Sequence, residues 1–230
     1  MEQPHILVVD DEREIADLLE TCLLNEGYRV SKAYHGNAAK TIIDCADIDL
    51  AILDIMMPET DGLTLCRYIR EKHNYPVIML TAKTEDIDII IGLSQGADDY
   101  ITKPFNPLEL IARVKAQLRR FLILREKGNI PDDTITIRSL SINKNTCRVT
   151  LDSRELVLTP TEYNILLFLA ENKGKVMSSE EIFTEIWQTE YMDSNNAVMV
   201  HIRHLREKMQ EPSRNPRYIK TVWGFGYKLE

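Results

Sequence analysis

Long apolar runs, a leader-like N-terminus and paired cysteines are absent from this chain of 230 residues. The apolar run Ile6–Val9 ends at Asp10, and no apolar run in the chain approaches the ~18–20 residues that cross a membrane. No basic region precedes a long apolar core, so no secretory signal is predicted. The four cysteines lack CxxC or zinc-finger spacing, which indicates free thiols in a reducing compartment. We therefore expect a cytoplasmic protein with no membrane segment, disulfide framework or zinc finger.

Charge is spread unevenly along the chain. The net charge is −8, with 13 basic and 21 acidic residues in 1–120 and 15 of each in 121–230. This acidic balance argues against a purely electrostatic, histone-like DNA binder. Residues 201–230 nevertheless carry seven basic and three acidic residues, and a local basic face can bind nucleic acid. The asymmetry predicts two modules with different partners.

Five short apolar segments alternate with five helical patterns over residues 5–120. The segments 5–10, 49–54 and 75–81 are almost continuously apolar, which is typical of parallel strands covered by helices on both faces. The last two helical patterns span 85–94 and 107–120. We predict an α/β fold with a doubly wound, five-stranded parallel sheet.

The helical pattern of the first module breaks down after residue 120. Gly128, Pro131 and two aspartates follow, and they indicate a linker at 122–133. We therefore predict a first domain at 1–121 and a second domain at 134–230.

Polar residues follow four of the predicted strands where each strand ends. Function gathers beyond the carboxyl ends of parallel strands, so Asp10, Asp11 and Asp54 should meet there. Thr81 and Lys103 would join them. Three close carboxylates need a cation, and hard oxygen ligands suit Mg²⁺. Although a single strand-end aspartate is usually a turn or cap residue, five such groups at one edge predict a phosphoryl-binding site with one carboxylate as nucleophile.

The motifs VVDDE, LDIMMPETDG, MLTAK and GADDYITKPF resemble the receiver domain of bacterial two-component response regulators, which is flavodoxin-like. The resemblance implies that Asp54 accepts a phosphoryl group from a sensor histidine kinase. It implies a Mg²⁺ site formed by Asp10, Asp11, the Asp54 carboxylate and the backbone carbonyl of Met56. Lys103 would contact the phosphoryl oxygens, while Thr81 and Tyr100 would act as the conformational switch.

The second module combines short strands, three helical patterns and a terminal hairpin at Gly224 and Gly226, which predicts a winged helix-turn-helix. Its third helix would enter the DNA major groove. Base contacts are predicted for Asn196, Met199, Val200 and Arg203. Phosphate contacts are predicted for His204, Arg206, Lys208 and Lys220. Val198, Ile202 and Leu205 are predicted to be core.

The segments LTPTEYNILLFLAENKGKVMSSEEI, VHIRHLREKM and YIKTVWGFGYKLE resemble the winged-helix domain of the OmpR/PhoB subfamily. The resemblance implies dimeric binding to direct-repeat promoter DNA and control of transcription, with RNA polymerase as a further partner. ELIARVKAQLRR and HIRHLREKM also resemble the VanR-type regulators of vancomycin-resistance operons, which implies glycopeptide-resistance genes as targets. Many members carry arginine where this chain has Trp223, which either packs the wing or lies on DNA.

The resemblance also implies a homodimer that forms on phosphorylation through one face of the receiver domain. The residues at matching positions are Ile89, Asp98, Asp99, Glu109, Arg113 and Arg120. Ile89 replaces a basic residue, so Glu109 is predicted to lack its usual partner.

Two function classes are consistent with these residues. The first is a phosphorylation-switched transcription factor, which is no enzyme beyond its own phosphorylation and dephosphorylation. The second is a Mg²⁺-dependent phosphatase with an aspartyl-phosphate intermediate and a docking domain. The sequence offers no obvious general acid–base beside Asp54, which favours the first.

Overall fold

The computed structural model describes residues 3–58, 60–82, 96–126, 133–187, 197–212 and 214–230. The chain divides into two compact units, Met1–Phe121 and Leu122–Glu230. Each unit is built around its own sheet. None of the helices in the described ranges is long and apolar enough to span a bilayer.

The first unit contains a five-stranded parallel sheet in the order β2-β1-β3-β4-β5. Its strands are β1 (His5–Val9), β2 (Arg29–Ala33), β3 (Leu50–Asp54), β4 (Val77–Thr81) and β5 (Asp99–Thr102). Every residue of β1, β3 and β4 is buried, because helices cover the sheet. The predicted parallel α/β sheet is confirmed.

Four helices of the first unit are described: α1 (Arg13–Asn25), α2 (Gly36–Cys45), α3 (Gly62–Lys72) and α4 (Pro107–Glu126). Asp61 caps α3 by accepting a hydrogen bond from the Thr64 N–H at 2.6 Å. The helix predicted at 85–94 lies outside the described residues. The helix predicted at 107–120 continues to Glu126, so the first residues assigned to the linker are helical. These linker residues, LILRE at 122–126, include good helix formers, and the breakers come only at Gly128 and beyond.

The second unit begins with a four-stranded antiparallel sheet. Its strands are β6 (Thr134–Ile137), β7 (Leu140–Asn143), β8 (Arg148–Leu151) and β9 (Arg154–Leu156). The helices α5 (Pro160–Glu171), α6 (Ser179–Trp187) and α7 (Ala197–Lys208) pack on one another. The hairpin of β10 (Ile219–Val222) and β11 (Gly226–Leu229) ends the chain and forms the wing. The predicted winged helix-turn-helix is confirmed.

Glu162 joins two helices of the second unit. Its carboxylate accepts a hydrogen bond from the Thr159 N–H at 2.8 Å, which completes a capping box at the start of α5. The same carboxylate lies 2.6 Å from the ammonium of Lys208 at the end of α7. Glu162 is buried, so this ion pair compensates its charge.

Candidate functional site

Three carboxylates converge at the carboxyl edge of the parallel sheet. Asp10 follows β1 and Asp54 ends the neighbouring strand β3, so the fold brings them together with Asp11. One oxygen of each carboxylate lies within 4.8 Å of the other two. Asp10 and Asp54 are buried, while Asp11 is exposed. The sequence therefore located this cluster correctly.

The ammonium group of Lys103 lies among these carboxylates. Its Nζ is 2.9 Å from Oδ2 of Asp10 and 3.3 Å from Oδ2 of Asp54. Glu12, which the sequence reasoning did not single out, approaches Nζ at 3.3 Å. Lys103 follows β5, and its backbone N–H donates to the carbonyl of Thr81 at 2.6 Å, which fixes it beside β4. The positive charge of Lys103 therefore lies beside the carboxylates of Asp10, Glu12 and Asp54.

Burial shapes the protonation of this cluster. Desolvation raises the pKa of Asp10, although the hydrogen bonds from Lys103 and from the Glu12 N–H work in the opposite direction. For Lys103, desolvation disfavours the charge, but the hydrogen bond to Asp10 and the charge of Asp54 outweigh it and raise the pKa. The site therefore stabilises the charged form of Lys103 and disfavours the charged form of Asp10.

The donor set fits a hard divalent cation. Three carboxylates supply oxygen ligands, and two of them are buried close together with only part of their charge offset by Lys103. Receiver domains generally bind Mg²⁺ in an acidic pocket of this kind. Met56 lies in the loop directly after β3, and its side chain is exposed.

The loop after Asp54 is held tightly against the strand. The N–H of Gly62 donates to the carbonyl of Ile55 at 3.1 Å. A Cβ at Gly62 would lie 2.1 Å from the Asp54 carbonyl oxygen, which no side chain can occupy. The glycine therefore allows α3 to begin directly beside the candidate phosphoacceptor.

We expect Lys103→Met to raise the affinity of the isolated chain for Mg²⁺ about tenfold. The substitution removes a positive charge that competes with the ion for Asp10 and Asp54, and such close charges interact by more than ~1 kcal/mol. Isothermal titration calorimetry at constant ionic strength measures the affinity. The control is Lys115→Met, which removes a surface ammonium paired with Glu26. An unchanged or weaker affinity in Lys103→Met would contradict the competition.

Thr81 lies on β4 and Tyr100 lies on β5, the two strands that follow β3 in the order of the sheet. Thr81 is buried at the end of β4, one residue beyond Leu80, which pairs with Asp54. Tyr100 is half-buried on β5 and pairs with Met79. Thr81 therefore lies at the same edge of the sheet as Asp54, on the neighbouring strand.

Two acidic residues of the predicted dimer face are buried, which corrects their assignment to that surface. The Asp98 carboxylate accepts from Arg70 at 2.6 Å and from the Val77 N–H at 3.0 Å. Asp99 is also buried, and Arg113 contacts both of its carboxylate oxygens at 3.1 Å. Glu109, which is predicted to lack its usual partner, accepts a hydrogen bond from Arg113 of its own helix at 2.9 Å. Ile89 lies outside the described residues, as does the side chain of Arg120.

Arg70 is a structural residue that the sequence reasoning missed. Besides Asp98, its guanidinium donates to the backbone carbonyls of Gly96 and Tyr75, both at 2.7 Å. Arg70 therefore joins the end of α3 to the segments that lead into β4 and β5. A basic residue one position after the buried Ile69 of α3 was the available signal.

Fewer residues of α7 are exposed for contact with DNA than the sequence predicts. Val198, Ile202 and Leu205 are buried, as expected. Val200 is buried as well, because α7 packs on both α5 and α6, so its predicted contact with a base is wrong for this geometry. Met199 and Arg203 remain exposed. Asn196 lies outside the described residues.

Most of the basic side chains that were predicted to contact DNA phosphates instead contact other residues of the second unit. Arg206 donates to the Ile219 carbonyl at 2.7 Å and to the Thr221 hydroxyl at 2.8 Å, and thereby ties α7 to the wing. Lys208 pairs with Glu162. His204 is largely buried beside the same glutamate, and burial lowers its pKa. Lys220 donates to the backbone carbonyl of Pro216.

The tip of the wing exposes two large aromatic side chains. Trp223 is 88% exposed, which excludes the alternative that it packs the wing. Phe225, which sequence reasoning did not single out, is 73% exposed. A groove of about 380 Å³ lies between this tip and Ser178 and Ser179 at the start of α6.

Comparison with known proteins agrees with this geometry. Residues 6–115 match the response regulator receiver domain family, and residues 153–229 match the C-terminal domain family of transcriptional regulatory proteins. The chain is 58% identical to regulatory protein VanR of Enterococcus faecium and 51% identical to regulatory protein VanRc of Enterococcus gallinarum. Each match covers 98% of both chains.

Several solved structures match over both units. One is the response regulator DrrB of Thermotoga maritima, described as an OmpR/PhoB homolog, with 34% identity and a TM-score of 0.52. Another is a RitR mutant, with 27% identity and a TM-score of 0.74. Each covers 99% of both chains.

Proposed function

Because the chain belongs to the OmpR/PhoB-type response regulators of two-component systems, which are DNA-binding transcription regulators, we propose that Asp54 is its phosphoacceptor and that phosphorylation controls DNA binding. The family implies a sensor kinase and DNA as partners. The proposal rests on one observation: Asp54 lies with Asp10, Asp11 and Lys103 at the carboxyl edge of the sheet.

The transfer requires little from the protein beyond position and charge. The phosphorus–nitrogen bond of the kinase phosphohistidine breaks while a phosphorus–oxygen bond to Asp54 forms, and the imidazole leaves with the bonding electrons and takes up a proton. Asp10, Asp11, Asp54 and the Met56 carbonyl would hold Mg²⁺, which offsets the negative charge of the reacting groups. Lys103 would turn from the carboxylates to the phosphoryl oxygens.

The phosphoryl group would then change the neighbouring strands. It carries ~1.5–2 negative charges, which replace the single charge of the carboxylate, and it brings new acceptor oxygens. Thr81 would donate its hydroxyl to them, and Tyr100 would turn inward, which alters the face that carries Arg113. We propose that a homodimer forms through this face, with the exposed Glu109 shared between Arg113 of the same chain and the second copy. Self-phosphorylation by small phosphodonors and self-dephosphorylation belong to the same proposal.

The regulated genes are proposed from the relatives. Their names, VanR and VanRc, support promoters of glycopeptide-resistance genes as targets, with RNA polymerase as a further partner. Both DNA and a kinase phosphohistidine are met in the cytoplasm, where we propose that the protein acts. The phosphatase alternative is not favoured, since both matched families describe a regulator rather than a hydrolase.

The proposed function is tested by electrophoretic mobility shift on genomic fragments, with and without Mg²⁺ and beryllofluoride as a phosphoryl mimic. We expect the mimic to raise affinity for selected fragments at least several-fold, and Asp54→Ala to abolish the response. Asp47→Ala is the matched control, because Asp47 lies before β3, at the opposite end of the same strand. An equal shift with and without the mimic would move control away from Asp54.

A further inference from the structure

Glu12 is the third carboxylate in contact with the ammonium group of Lys103. Its Oε1 lies 3.3 Å from Nζ, as does Oδ2 of Asp54, while Oδ2 of Asp10 lies at 2.9 Å. The side chains of Asp10 and Asp54 are at most 4% exposed, whereas that of Glu12 is 62% exposed. Glu12 therefore contacts Lys103 from outside the buried pocket, and it does not belong to the three carboxylates that could hold a metal ion.

The side chain of Glu12 reaches Lys103 instead of capping the helix that it precedes. Glu12 occupies the N-cap position of α1, where short polar side chains are preferred because they accept a hydrogen bond from the first turn. In the described first turn of α1, the Glu12 side chain accepts no such bond. Its N–H donates to Oδ1 of Asp10 at 3.0 Å, which fixes its backbone beside the acidic cluster. The long side chain then contacts a lysine that lies 91 residues further along the chain.

Lys103 and a metal ion would share the carboxylates of Asp10 and Asp54. A divalent ion held by these groups places two positive charges close to the ammonium, and cations at such short range repel each other strongly. The ammonium must then turn away from Asp10 and Asp54, which are its two buried counter-ions. Glu12 is already in contact with the ammonium, and its exposed side chain is free to follow the movement.

We propose that Glu12 is a positioning residue for Lys103. When the three carboxylates of the cluster hold Mg²⁺, Glu12 keeps the ammonium at the edge of the pocket, close to Asp54 and available to the phosphoryl oxygens. Glu12 thereby favours metal binding without contacting the metal. The inference rests on the proposed function, since it requires a cluster that binds Mg²⁺ and a lysine that later contacts the phosphoryl group.

The Mg²⁺ affinity of the full chain tests the inference in a double-mutant cycle with Lys103. Glu12→Gln keeps the length of the side chain, removes its charge and introduces none of the favoured helix caps. We expect it to weaken Mg²⁺ binding about fivefold in the native background, measured by isothermal titration calorimetry at constant ionic strength. In the Lys103→Met background, we expect a loss below about twofold, because only the direct attraction between the carboxylate and the ion disappears.

Glu14→Gln is the matched control for the loss of one surface charge. Glu14 is exposed in the first turn of α1, two residues beyond Glu12. We expect its substitution to change Mg²⁺ affinity by less than about twofold in both backgrounds. A loss for Glu12→Gln that is equal in the two backgrounds, or no larger than the loss for Glu14→Gln, would overturn the inference, since Glu12 would then act through its charge alone.

The ammonium of Lys103 also gives a readout that does not depend on affinity. NMR of the chain with lysine labelled at its side-chain nitrogen detects ammonium groups whose protons are held by a carboxylate and exchange slowly with water, and Lys103→Met assigns the signal. We expect Glu12→Gln to broaden the Lys103 signal in the Mg²⁺-saturated chain but to preserve it without metal, where Asp10 and Asp54 still hold the ammonium.

The NMR result separates the inference from the proposed function. A Lys103 signal that Glu12→Gln leaves unchanged in the Mg²⁺-saturated chain would overturn the positioning role of Glu12. An unsubstituted chain that binds no Mg²⁺ would instead contradict the proposed function.

Discussion

Arg70→Met is expected to lower the free energy of unfolding of the first unit by about 3–5 kcal/mol. The guanidinium pairs with the fully buried carboxylate of Asp98 and holds the carbonyls of Gly96 and Tyr75. Removal of the cation leaves a buried charge with its main counter-ion missing, which costs more than the pair itself contributes. Chemical denaturation of the full chain, followed by circular dichroism, measures the loss.

The matched control is Arg67→Met on the same helix. Arg67 is exposed and donates to the Thr64 hydroxyl at 3.1 Å, a surface contact, so its loss should stay within about 0.5 kcal/mol. Asp98→Asn introduced with Arg70→Met should recover part of the stability, because the buried charge is then gone. Equal losses in the two methionine variants would show that the buried pair contributes no more than a surface contact.

Gly226→Ala is expected to destabilise the second unit by about 3 kcal/mol and to detach the wing from α6. A Cβ at this position would lie 2.0 Å from the Met177 carbonyl oxygen. That oxygen accepts the hydrogen bond from Tyr227, so relief of the overlap breaks the bridge between hairpin and helix. The left-handed backbone at φ +139 adds the usual penalty for a side chain of about 1–2 kcal/mol.

Gly224→Ala is the control that distinguishes backbone strain from the steric overlap of the new Cβ with Met177. Gly224 also has a positive φ, of +78, but a Cβ there meets nothing within 4 Å. It should therefore cost only the backbone penalty of about 1–2 kcal/mol. Thermal unfolding gives both stabilities, and hydrogen exchange of the Met177 and Tyr227 amides reports the bridge. If the two variants lose similar stability and show similar hydrogen exchange, the overlap with Met177 is not the cause of the destabilisation.

The parallel sheet and its acidic edge were predictable because they depend on local signals. Buried parallel strands are continuously apolar, and the residue that follows such a strand must lie at its carboxyl edge. Asp10, Asp54 and Lys103 were therefore placed correctly from their position after a strand. The length of helix α4 was underestimated by six residues. The helix-breaking residues at Gly128 and beyond led to a predicted end at residue 120, whereas the helix continues to Glu126.

The roles of individual cations were not predictable from one sequence. Helical spacing shows that Arg206 and Lys208 do not belong to the apolar face of α7. It does not show that Arg206 contacts a carbonyl of β10 or that Lys208 contacts the carboxylate of Glu162. Those partners are 13 and 46 residues away. Asp98 poses the same problem, since its partner Arg70 lies 28 residues earlier. Partners distant in sequence decide whether such a side chain serves the fold or a ligand.

The strand order also bears on how the protein matures during synthesis. After β2, each strand emerging from the ribosome can add beside the preceding member of the growing sheet: β3 beside β1, then β4, then β5. Lys103 follows the last of these strands. A nascent chain thus has its three carboxylates in place before the ammonium that accompanies them, and the proposed phosphoacceptor site is completed only when Lys103 has been translated.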